Sequence, residues 1–335
     1  MGVTVFGDCD GVPVLQVPLE SDAGAQAHIL TWGAVIRDLV VPHQDKSQRV
    51  VLGLNSLEDY RNHSGHMGAI AGRFANRIAN ASFMLDGVNY KLPRNLNNRH
   101  SLHGGGTGFG VRPWRLSRHD KSSVTLTLHS PDGDAGYPGV LDVTCTYRLT
   151  GATTFRVELE AHCDAPTIIN LAQHSYFNLD GSADARDHEV LIPSKFRTPT
   201  NAEGIPTGEI RDVTETPWDF AHFTPIKARD TLYDNNYVVT TPLAQDSGLA
   251  HAASLRSRLN GLTMEVHTSA PCVQFYDAAN LACSGQGLEG ALYQRHAGIC
   301  FEPQGVPDAP NQRQFPSAVL RPGETYRQIS EFRFG

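Results

Sequence analysis

Apolar and polar residues alternate along the middle of the chain, as they do in a β-strand that buries one face. From residue 141 to residue 150, Leu, Val, Cys, Tyr and Leu alternate with Asp, Thr, Thr, Arg and Thr. Residues 155–162 alternate in the same way, with Phe, Val, Leu and Ala on one face, and residues 124–128 do so with Val and Leu. The period of two residues predicts a half-buried strand in each of these segments.

A turn signal lies at Asp86-Gly87. Asp-Gly is typical of the type I′ turn that joins two strands of a β-hairpin through a two-residue loop. Such a turn pairs Leu85 with Val88. Further from the turn, it pairs Phe83 with Tyr90. These side chains would share one face, so the turn chemistry and the hydrophobic pattern predict the same hairpin.

The remaining sequence is interrupted by 31 Gly and 20 Pro. No long segment combines apolar residues at i, i+3, i+4 and i+7 with helix caps. The glycine-rich turns are spread evenly, without a linker or a fixed-period repeat that would separate domains. We therefore expect an all-β fold, a large antiparallel β-sandwich, in a single domain over residues 1–335.

Composition excludes several classes of partner. The formal net charge is -7 and Lys and Arg form no run, whereas nucleic acids and anionic membrane surfaces require clustered positive charge. No apolar run approaches the length of a membrane span, and the N-terminus lacks a signal-peptide pattern. The six cysteines include no C-x-x-C pair, which favours a cytoplasmic protein with reduced thiols over a disulfide framework.

A carboxylate lies in the proline-rich segment 301–311, Phe-Glu-Pro-Gln-Gly-Val-Pro-Asp-Ala-Pro-Asn. Pro303, Pro307 and Pro310 each fix φ and bias the preceding residue toward extended geometry. The segment is therefore predicted to be a rigid polar turn that holds Glu302 in one place. A solvated surface glutamate is the plainer alternative, but the setting favours Glu302 as a general base.

Two histidines have neighbours that suit chemistry. His174 lies among aromatic and hydroxyl groups in residues 173–179, Gln-His-Ser-Tyr-Phe-Asn-Leu, and an unperturbed pKa of about 6.5 lets an imidazole donate and accept a proton near neutral pH. A structural histidine is the alternative. His103 precedes glycines 104–106, which allow a ligand to approach the backbone. A similar run forms the oxyanion loop of some hydrolases, but the G-x-S-x-G motif of those enzymes is absent from the sequence.

Several other polar side chains suit the binding of sugar hydroxyls, because amide and guanidinium groups are planar and aromatic neighbours stack on the C–H faces of a sugar. Arg77, like Arg73, could instead be a surface or structural arginine, and Asp234 could cap a turn. The candidates are Asn76, Arg77, Tyr176, Asp234 and Gln274.

A metal site is not expected from the sequence. His63 and His66 form an H-x-x-H pattern, but neither H-E-x-x-H nor a Cys/His cluster accompanies it. Proton transfer by the candidate residues is therefore expected to proceed without a metal ion.

Taken together, these segments resemble the aldose 1-epimerase (galactose mutarotase) family, and the matching motifs occur in order along almost the whole chain. The resemblance implies a mutarotase-like β-sandwich with a sugar site on a concave sheet face, and no metal or organic cofactor. The matching segments are residues 72–78 (Gly-Arg-Phe-Ala-Asn-Arg-Ile), 102–105 (Leu-His-Gly-Gly), 134–139 (Asp-Ala-Gly-Tyr-Pro-Gly), 174–179 (His-Ser-Tyr-Phe-Asn-Leu), 234–237 (Asp-Asn-Asn-Tyr), 274–276 (Gln-Phe-Tyr) and 301–304 (Phe-Glu-Pro-Gln).

The same resemblance implies the roles of the candidates. Glu302 would accept the proton of the anomeric hydroxyl while His174 protonates the ring oxygen. The ring would open, C1 would rotate about the C1–C2 bond, and reclosure would give the other anomer. His103 would be a second imidazole near the ring oxygen. The hydroxyl-binding candidates would hold a free monosaccharide of the galactose or glucose class.

Some positions depart from the commonest wording of the family. Gly110-Val111 stands where Asp-Lys is frequent, Gln173 where Asn is usual, and Asn235 where His is common. These residues flank the hydroxyl-binding candidates, so the preferred aldose stays open, and a hexose phosphate bound through Arg77 or Arg73 is one alternative.

Two other functions are also open on this sequence. A carbohydrate-binding homologue without catalysis is disfavoured by the presence of both Glu302 and His174. A glycoside hydrolase or lyase would need a second carboxylate beside the scissile bond, and Asp234 could supply one.

Overall fold

Antiparallel sheets dominate the regular secondary structure in residues 2–62 and 65–335, the part of the chain that the computed structural model describes. The prediction of an all-β fold is confirmed. A nine-stranded sheet has the order β11-β12-β13-β14-β28-β24-β23-β18-β21. Its strands are β11 (Arg115–His119), β12 (Ser123–Ser130), β13 (Leu141–Thr150), β14 (Thr154–Cys163), β18 (Glu189–Leu191), β21 (Thr224–Pro225), β23 (Ala250–Arg256), β24 (Thr263–Thr268) and β28 (Tyr326–Phe334).

A six-stranded sheet carries most of the chemistry described below. Its order is β17-β26-β25-β22-β19-β20. Its strands are β17 (Tyr176–Phe177), β19 (Phe196–Thr198), β20 (Arg211–Asp212), β22 (Asp234–Val238), β25 (Cys272–Tyr276) and β26 (Ile299–Gln304).

Smaller sheets complete the strand content. A five-stranded sheet runs in sequence order through β1 (Thr4–Cys9), β2 (Val12–Glu20), β3 (Gln26–Leu30), β4 (Ile36–His43) and β5 (Lys46–Arg49). Two-stranded pairs join β6 (Ile70–Ala71) with β16 (Ala172–Gln173), β7 (Arg77–Ile78) with β10 (Ser101–Leu102), β8 (Ser82–Leu85) with β9 (Val88–Lys91), and β15 (Thr167–Ile168) with β27 (Val319–Leu320).

Helices are short. The α-helix α1 (Leu57–Asn62) has six residues, and none of the helices in residues 2–62 and 65–335 has the length and apolar character needed to cross a membrane. The 3-10 turns are Ala79–Ala81, Phe109–Val111, Asp134–Gly136, Ala185–Asp187, Ile226–Ala228, Leu288–Gly290 and Ala309–Asn311.

The strands predicted from alternation lie where the pattern placed them. β13 covers Leu141–Thr150, and it pairs along its whole length with β14, from Leu141 opposite Cys163 to Thr150 opposite Thr154. The apolar residues of β13 are buried while the intervening polar ones are exposed or half-buried. Alternation identified these strands because one face packs on the core and the other faces water.

The hairpin β8–β9 has the predicted register, with Phe83 opposite Tyr90 and Leu85 opposite Val88. Asp86 and Gly87 both have positive φ, 48° and 83°, as a type I′ turn requires. Val88, however, is 52% exposed, because the tip of the hairpin extends beyond the core.

One buried cluster takes side chains from each of the three large sheets. Phe177 of β17 contacts Phe332 of β28, with ring centroids 4.9 Å apart, which joins the six-stranded to the nine-stranded sheet. The hydroxyl of Tyr147 in β13 donates to the backbone carbonyl of Ala34 at 2.7 Å, beside the five-stranded sheet. The six-stranded sheet therefore rests on a packed base that fixes the position of its opposite face.

The prediction of a polar turn around Glu302 is wrong. Glu302 lies inside β26, all of whose residues are buried. The prolines were misleading because Pro303 can occupy this strand: its neighbour β17 pairs only with Ile299 and Cys300, and a proline is tolerated where a strand lacks a ladder partner. Strand geometry, rather than a loop, holds Glu302 in place.

Candidate active site

The alternating faces of β26 separate the core from the site. Ile299 and Phe301 belong to the main core cluster, and Phe301 stacks on Phe275 of β25 with a centroid distance of 5.5 Å. Successive side chains of a strand point to opposite faces. Cys300 and Glu302 therefore share the other face, which borders a cleft.

The cleft has a volume of about 240 Å³. Most of the candidates singled out in the sequence line it, although they come from segments far apart in the chain. Gln274 does not line it. The lining residues are Gly65, His66, Asn76, Arg77, Leu96, Leu102, His103, His174, Tyr176, Asp234, Tyr276, Asn280, Leu281, Ala282 and Glu302.

Glu302 is a buried carboxyl, 2% exposed. Its Oε2 lies 3.7 Å from Nε2 of His174 and has no hydrogen-bond partner among the described residues. Burial, and to a smaller extent the negative charge of Asp234, raise the pKa of Glu302 to about 8, while Arg77 opposes the shift. Because its ionised form is destabilised in this way, the carboxylate of Glu302 accepts a proton readily.

His174 lies between β16 and β17, with its ring against the floor of the cleft. The ring stacks on that of Tyr176 at a centroid distance of 5.2 Å, and Nδ1 lies 3.7 Å from Sγ of Cys300. Its neighbour Gln173 steadies the segment, because the Gln173 amide donates to the hydroxyl of Ser175 at 2.8 Å and accepts from the Ser175 backbone N–H at 3.0 Å. The two ring nitrogens of His174 thus face Cys300 and Glu302, neighbours on one face of β26.

His103 is held by reciprocal contacts with Asn76. The backbone N–H of His103 donates to the Asn76 carbonyl at 3.0 Å, and the backbone N–H of Asn76 donates to Nδ1 of His103 at 3.2 Å. Since Nδ1 accepts, the proton of the neutral ring is on Nε2. Burial lowers the pKa of His103 well below its usual value, and His66, His174 and Arg77 lower it further. His103 is therefore a neutral N–H donor.

The glycine that follows His103 is required by a close backbone approach. Gly104 has φ +84°, and a Cβ there would lie 1.9 Å from the carbonyl oxygen of Gly72. Only glycine fits such a position. The glycine run therefore packs this loop against the segment 72–77 that carries Asn76 and Arg77.

The cluster of His103, His174 and Glu302 raises the question of a metal ion, because one ligand atom from each lies within 4.8 Å of the others. A histidine that binds a metal usually donates its other ring N–H to an acceptor. Nδ1 of His103 instead accepts from a backbone N–H, which leaves the proton on Nε2. These residues therefore do not suit a metal. His66 lines the cleft, whereas His63 lies outside the described residues.

Both carboxylate oxygens of Asp234 accept hydrogen bonds. Nη2 of Arg77 donates to Oδ2 at 2.8 Å, and the amide of Gln274 donates to Oδ1 at 2.5 Å. Behind them, the amide of Gln304 donates to Oε1 of Gln274 at 3.2 Å. Gln274 thus orients Asp234 from beneath the cleft. Asp234 begins β22 and caps no turn, and its side chain is 41% exposed.

The remaining candidates divide between cleft and scaffold. Asn76 is buried, and its side-chain oxygen accepts from the backbone N–H of Arg77 at 2.9 Å. The hydroxyl of Tyr176 donates to the Gly65 carbonyl at 2.9 Å. Arg73 is structural: it is buried and donates to the carbonyls of Pro138 and Gly139, each at 2.9 Å.

Sequence reasoning did not single out part of the cleft wall. In the sequence, His66 stands out only as half of an H-x-x-H pattern, and Tyr276 only as an aromatic neighbour of Gln274. Alternation could have found Tyr276, because it lies two residues from Gln274 and so on the same strand face. Residues 280–282 belong to a loop without a pattern that points to the cleft.

Comparisons with known proteins agree over the whole chain. The model of a protein family described as aldose 1-epimerase matches residues 16–333. The aldose 1-epimerase of Haemophilus influenzae is 35% identical over 99% of this chain and 98% of its own. The galactose mutarotase of Mus musculus is 38% identical over 99% of this chain and 97% of its own. The crystal structure of a GalM/aldose epimerase homologue from C. elegans superimposes with a TM-score of 0.89 at 30% identity, covering 96% of this chain and 98% of that one.

Proposed function

Because the chain belongs to the aldose 1-epimerase family, we propose that its cleft interconverts the α and β anomers of a free aldose of the galactose or glucose class. The enzyme is an isomerase of the aldose 1-epimerase type. One observation carries the assignment to this cleft: Glu302 and His174, 3.7 Å apart, border it together.

Ring opening involves two proton transfers, one from the sugar and one to it. The carboxylate of Glu302 accepts the proton of the anomeric hydroxyl, and His174 gives the proton on Nε2 to the ring oxygen. The bond between C1 and the ring oxygen breaks as C1 becomes an aldehyde. C1 then rotates about the C1–C2 bond, and reclosure reverses both transfers. The enzyme returns to its starting protonation state without a covalent intermediate.

The environment of Glu302 suits this exchange. Ring opening converts a carboxylate and a protonated imidazole into a carboxylic acid and a neutral imidazole. Proton transfer is most efficient when acid and base have similar pKa values. A Glu302 pKa of about 8 lies far nearer to the imidazole range than that of an exposed carboxyl. Both the ionised and the protonated form of Glu302 are thus accessible near neutral pH.

The other candidates bind and orient the sugar. His103 offers its Nε2–H to the ring oxygen or to the developing charge, and it does so without becoming charged. Asn76, Arg77, Tyr176 and Asp234 bind hydroxyls. Gln274 acts through Asp234 and is a positioning residue. Because these side chains supply both proton transfers, the mechanism requires no metal or organic cofactor.

The cleft favours a neutral monosaccharide. Its volume, about 240 Å³, is below the range of roughly 300 to 1,000 Å³ that is usual for drug-sized ligands. Arg73 is committed to backbone carbonyls, and Arg77 is paired with Asp234. A hexose phosphate would meet the negative charge of Asp234 beside the arginine that lines the cleft, so it is disfavoured relative to the free sugar.

The proposal also includes the domain organisation and the cellular location of the protein. Residues 1–335 act as one domain, which is supported by a core cluster that includes all three large sheets. A cytoplasmic location is supported by the cysteines, all of which have free thiols.

Polarimetry of freshly dissolved α-D-galactose and α-D-glucose tests the proposal. The protein should accelerate the approach to rotational equilibrium above the buffer rate. Unchanged kinetics with both sugars and with a panel of other aldoses would contradict it. Methyl β-D-galactoside is the control for hydrolysis, and release of reducing sugar from it would favour a hydrolase. Binding of galactose without acceleration would favour a carbohydrate-binding homologue.

A further inference from the structure

We propose that His66 recognises the exocyclic hydroxymethyl group of an aldohexose and thereby makes the enzyme prefer hexoses to the matching pentoses. The inference rests on the proposed function, since it concerns the sugar in the same cleft. It assigns a specificity-determining role to a residue that the proton-transfer mechanism does not use.

His66 belongs to a cluster of imidazoles in the cleft. Its ring centroid lies 4.7 Å from that of His103 and 6.3 Å from that of His174. The segment that carries His66 is anchored, because the carbonyl of the preceding residue, Gly65, accepts a hydrogen bond from the hydroxyl of Tyr176. The backbone N–H of Ala69 donates to the His66 carbonyl at 2.9 Å and closes a turn. The imidazole of His66 is therefore presented to the ligand from a fixed backbone.

Gly110 makes room for this imidazole. A Cβ at position 110 would lie 3.0 Å from Nδ1 of His66 and 3.1 Å from Cβ of Ala69. A side chain at position 110 would therefore require the ring of His66 to shift by a few tenths of an ångström. The pairing of His66 with Gly110 gives this cleft a polar group that depends on both residues.

The position of the reaction centre indicates which part of the sugar His66 meets. In the proposed mechanism, C1 lies at Glu302, and the ring oxygen lies between His174 and His103. The next atom around the ring, on the side away from C1, is C5. His66 lies beside His103, next to that side, so the C5 substituent is the nearest sugar group it can contact. In a hexose this substituent is a hydroxymethyl group, with a hydroxyl that can hydrogen-bond to an imidazole. A pentopyranose has only hydrogen there.

Matched sugars separate this contact from the rest of the site. L-Arabinose has the ring configuration of D-galactose without the hydroxymethyl group, and D-fucose carries a methyl group in its place. The measurement is kcat/KM for anomerisation of D-galactose, D-fucose and L-arabinose, by polarimetry or by exchange NMR. In the wild type, D-galactose should be preferred. The loss of one hydrogen bond to a neutral group corresponds to about a five- to tenfold change.

The key variant is His66→Phe, which keeps an aromatic ring but removes both nitrogens. It should lower kcat/KM for D-galactose about five- to tenfold, mainly by raising KM, because a contact present throughout the reaction contributes uniform binding. The values for D-fucose and L-arabinose should hardly change. His66→Gln, whose amide can replace one ring N–H, should restore much of the preference. Gly110→Ala, whose methyl group would shift the ring by a few tenths of an ångström without altering its chemistry, should reproduce part of the loss.

The controls keep the inference separate from the proposed function. His119→Asn, at an exposed histidine of β11, should leave all ratios unchanged, and melting temperatures identify variants that fold poorly. An equal loss for all three sugars in His66→Phe would overturn the inference while leaving the epimerase assignment intact. A changed preference for D-galactose over 2-deoxy-D-galactose, with no change between D-galactose and L-arabinose, would place His66 at C2 and also overturn it. Failure of the wild type to accelerate D-galactose would contradict the proposed function itself.

Discussion

Two buried acid–histidine pairs in this molecule have nearly the same geometry. In the cleft, Oε2 of Glu302 lies 3.7 Å from Nε2 of His174. One residue beyond Tyr276, Oδ2 of Asp277 lies 3.7 Å from Nδ1 of His296. Both carboxylate oxygens lack a hydrogen-bond partner among the described residues, and burial raises the pKa of both acids. A search for perturbed carboxyls alone would select both pairs.

The two pairs differ in whether a substrate can reach them. Asp277 does not line the cleft, and its other oxygen accepts from the backbone N–H of Ala279 at 3.1 Å. Nδ1–H of His296 donates to the backbone carbonyl of Asp277 at 2.7 Å. The second pair therefore uses its donors and acceptors to shape the loop that follows β25. A raised pKa reports burial, whereas catalysis also requires an opening in which a substrate can lie between acid and base.

The largest expected difference between the pairs is in activity. Glu302→Gln should lower kcat for galactose anomerisation about a thousandfold, because a positioned general base contributes on the order of 10² to 10⁴. Asp277→Asn should stay within about threefold of the wild type, since that carboxyl touches no substrate. Initial rates by polarimetry check both. Comparable losses of activity in the two variants would contradict the assignment of catalysis to the Glu302–His174 pair alone.

Stability should respond alike in the two pairs. For Glu302, the folded state holds the proton more tightly than the unfolded state, so the stability it contributes is present below a pH of about 4.5 and is lost as the pH rises to about 8. This shift corresponds to as much as about 5 kcal/mol. Glu302→Gln should therefore become increasingly more stable than the wild type between pH 5 and pH 9, in urea unfolding at about those values.

Asp277→Asn should show a gain of the same sign, because the pKa of Asp277 is also raised by burial. Only the Glu302 variant should combine greater stability with lost activity. A Glu302→Gln protein that is less stable than the wild type at pH 9 would contradict the raised pKa.

The rising limb of the pH dependence of catalysis should follow Glu302 and not Asp277. Activity should rise with pH toward about 8, since only the ionised carboxyl can accept a proton and its pKa is about 8. Asp234→Asn removes a charge that raises this pKa, so the midpoint of the rising limb should move to lower pH, even though sugar binding weakens. Asp277→Asn should leave the midpoint in place. The test is kcat/KM from pH 5 to pH 9, and an unmoved midpoint in Asp234→Asn would argue against this coupling.

The smallest effect concerns Cys300, whose thiol contacts Nδ1 of His174 at 3.7 Å. A thiol can donate or accept, so it can accompany either protonation state of the imidazole. Cys300→Ala should lower kcat about three- to tenfold with little change in KM, and Cys300→Ser should recover most of it. Cys145→Ala, at a buried cysteine of the core, is the matched control and should affect stability only. Equal kcat for the alanine and serine variants would remove the thiol from the mechanism.

Much of the fold follows from local pattern. The strands at residues 124–128, 141–150 and 155–162 and the hairpin at Asp86-Gly87 were predictable because each depends on side chains close in sequence. Alternation reports one buried face, and a two-residue turn fixes the register. The pairing of β14 with β28 joins segments more than 160 residues apart, and no local pattern specifies it.

The site was predictable as a list of residues but not as an arrangement. Pro303 suggested a turn, although the burial of β26 on both faces makes it a strand. Gln274 was expected to touch sugar, but its cross-strand register opposite Glu302 and Asn236 places its amide under Asp234. His66 gave only a weak signal, because its position depends on the space beside Gly110. Each difference comes from contacts between segments distant in sequence.

The two-sided character of β26 has a consequence for how this gene can change. Phe301 and Glu302 point in opposite directions. Deletion or insertion of one codon between positions 299 and 304 would therefore turn the phenyl ring toward the sugar and the carboxyl group toward the hydrophobic core. Substitutions elsewhere on this strand can be absorbed one at a time, but a change in its length would damage folding and chemistry together. The number of residues in this strand is therefore expected to tolerate change less than the identity of its individual residues.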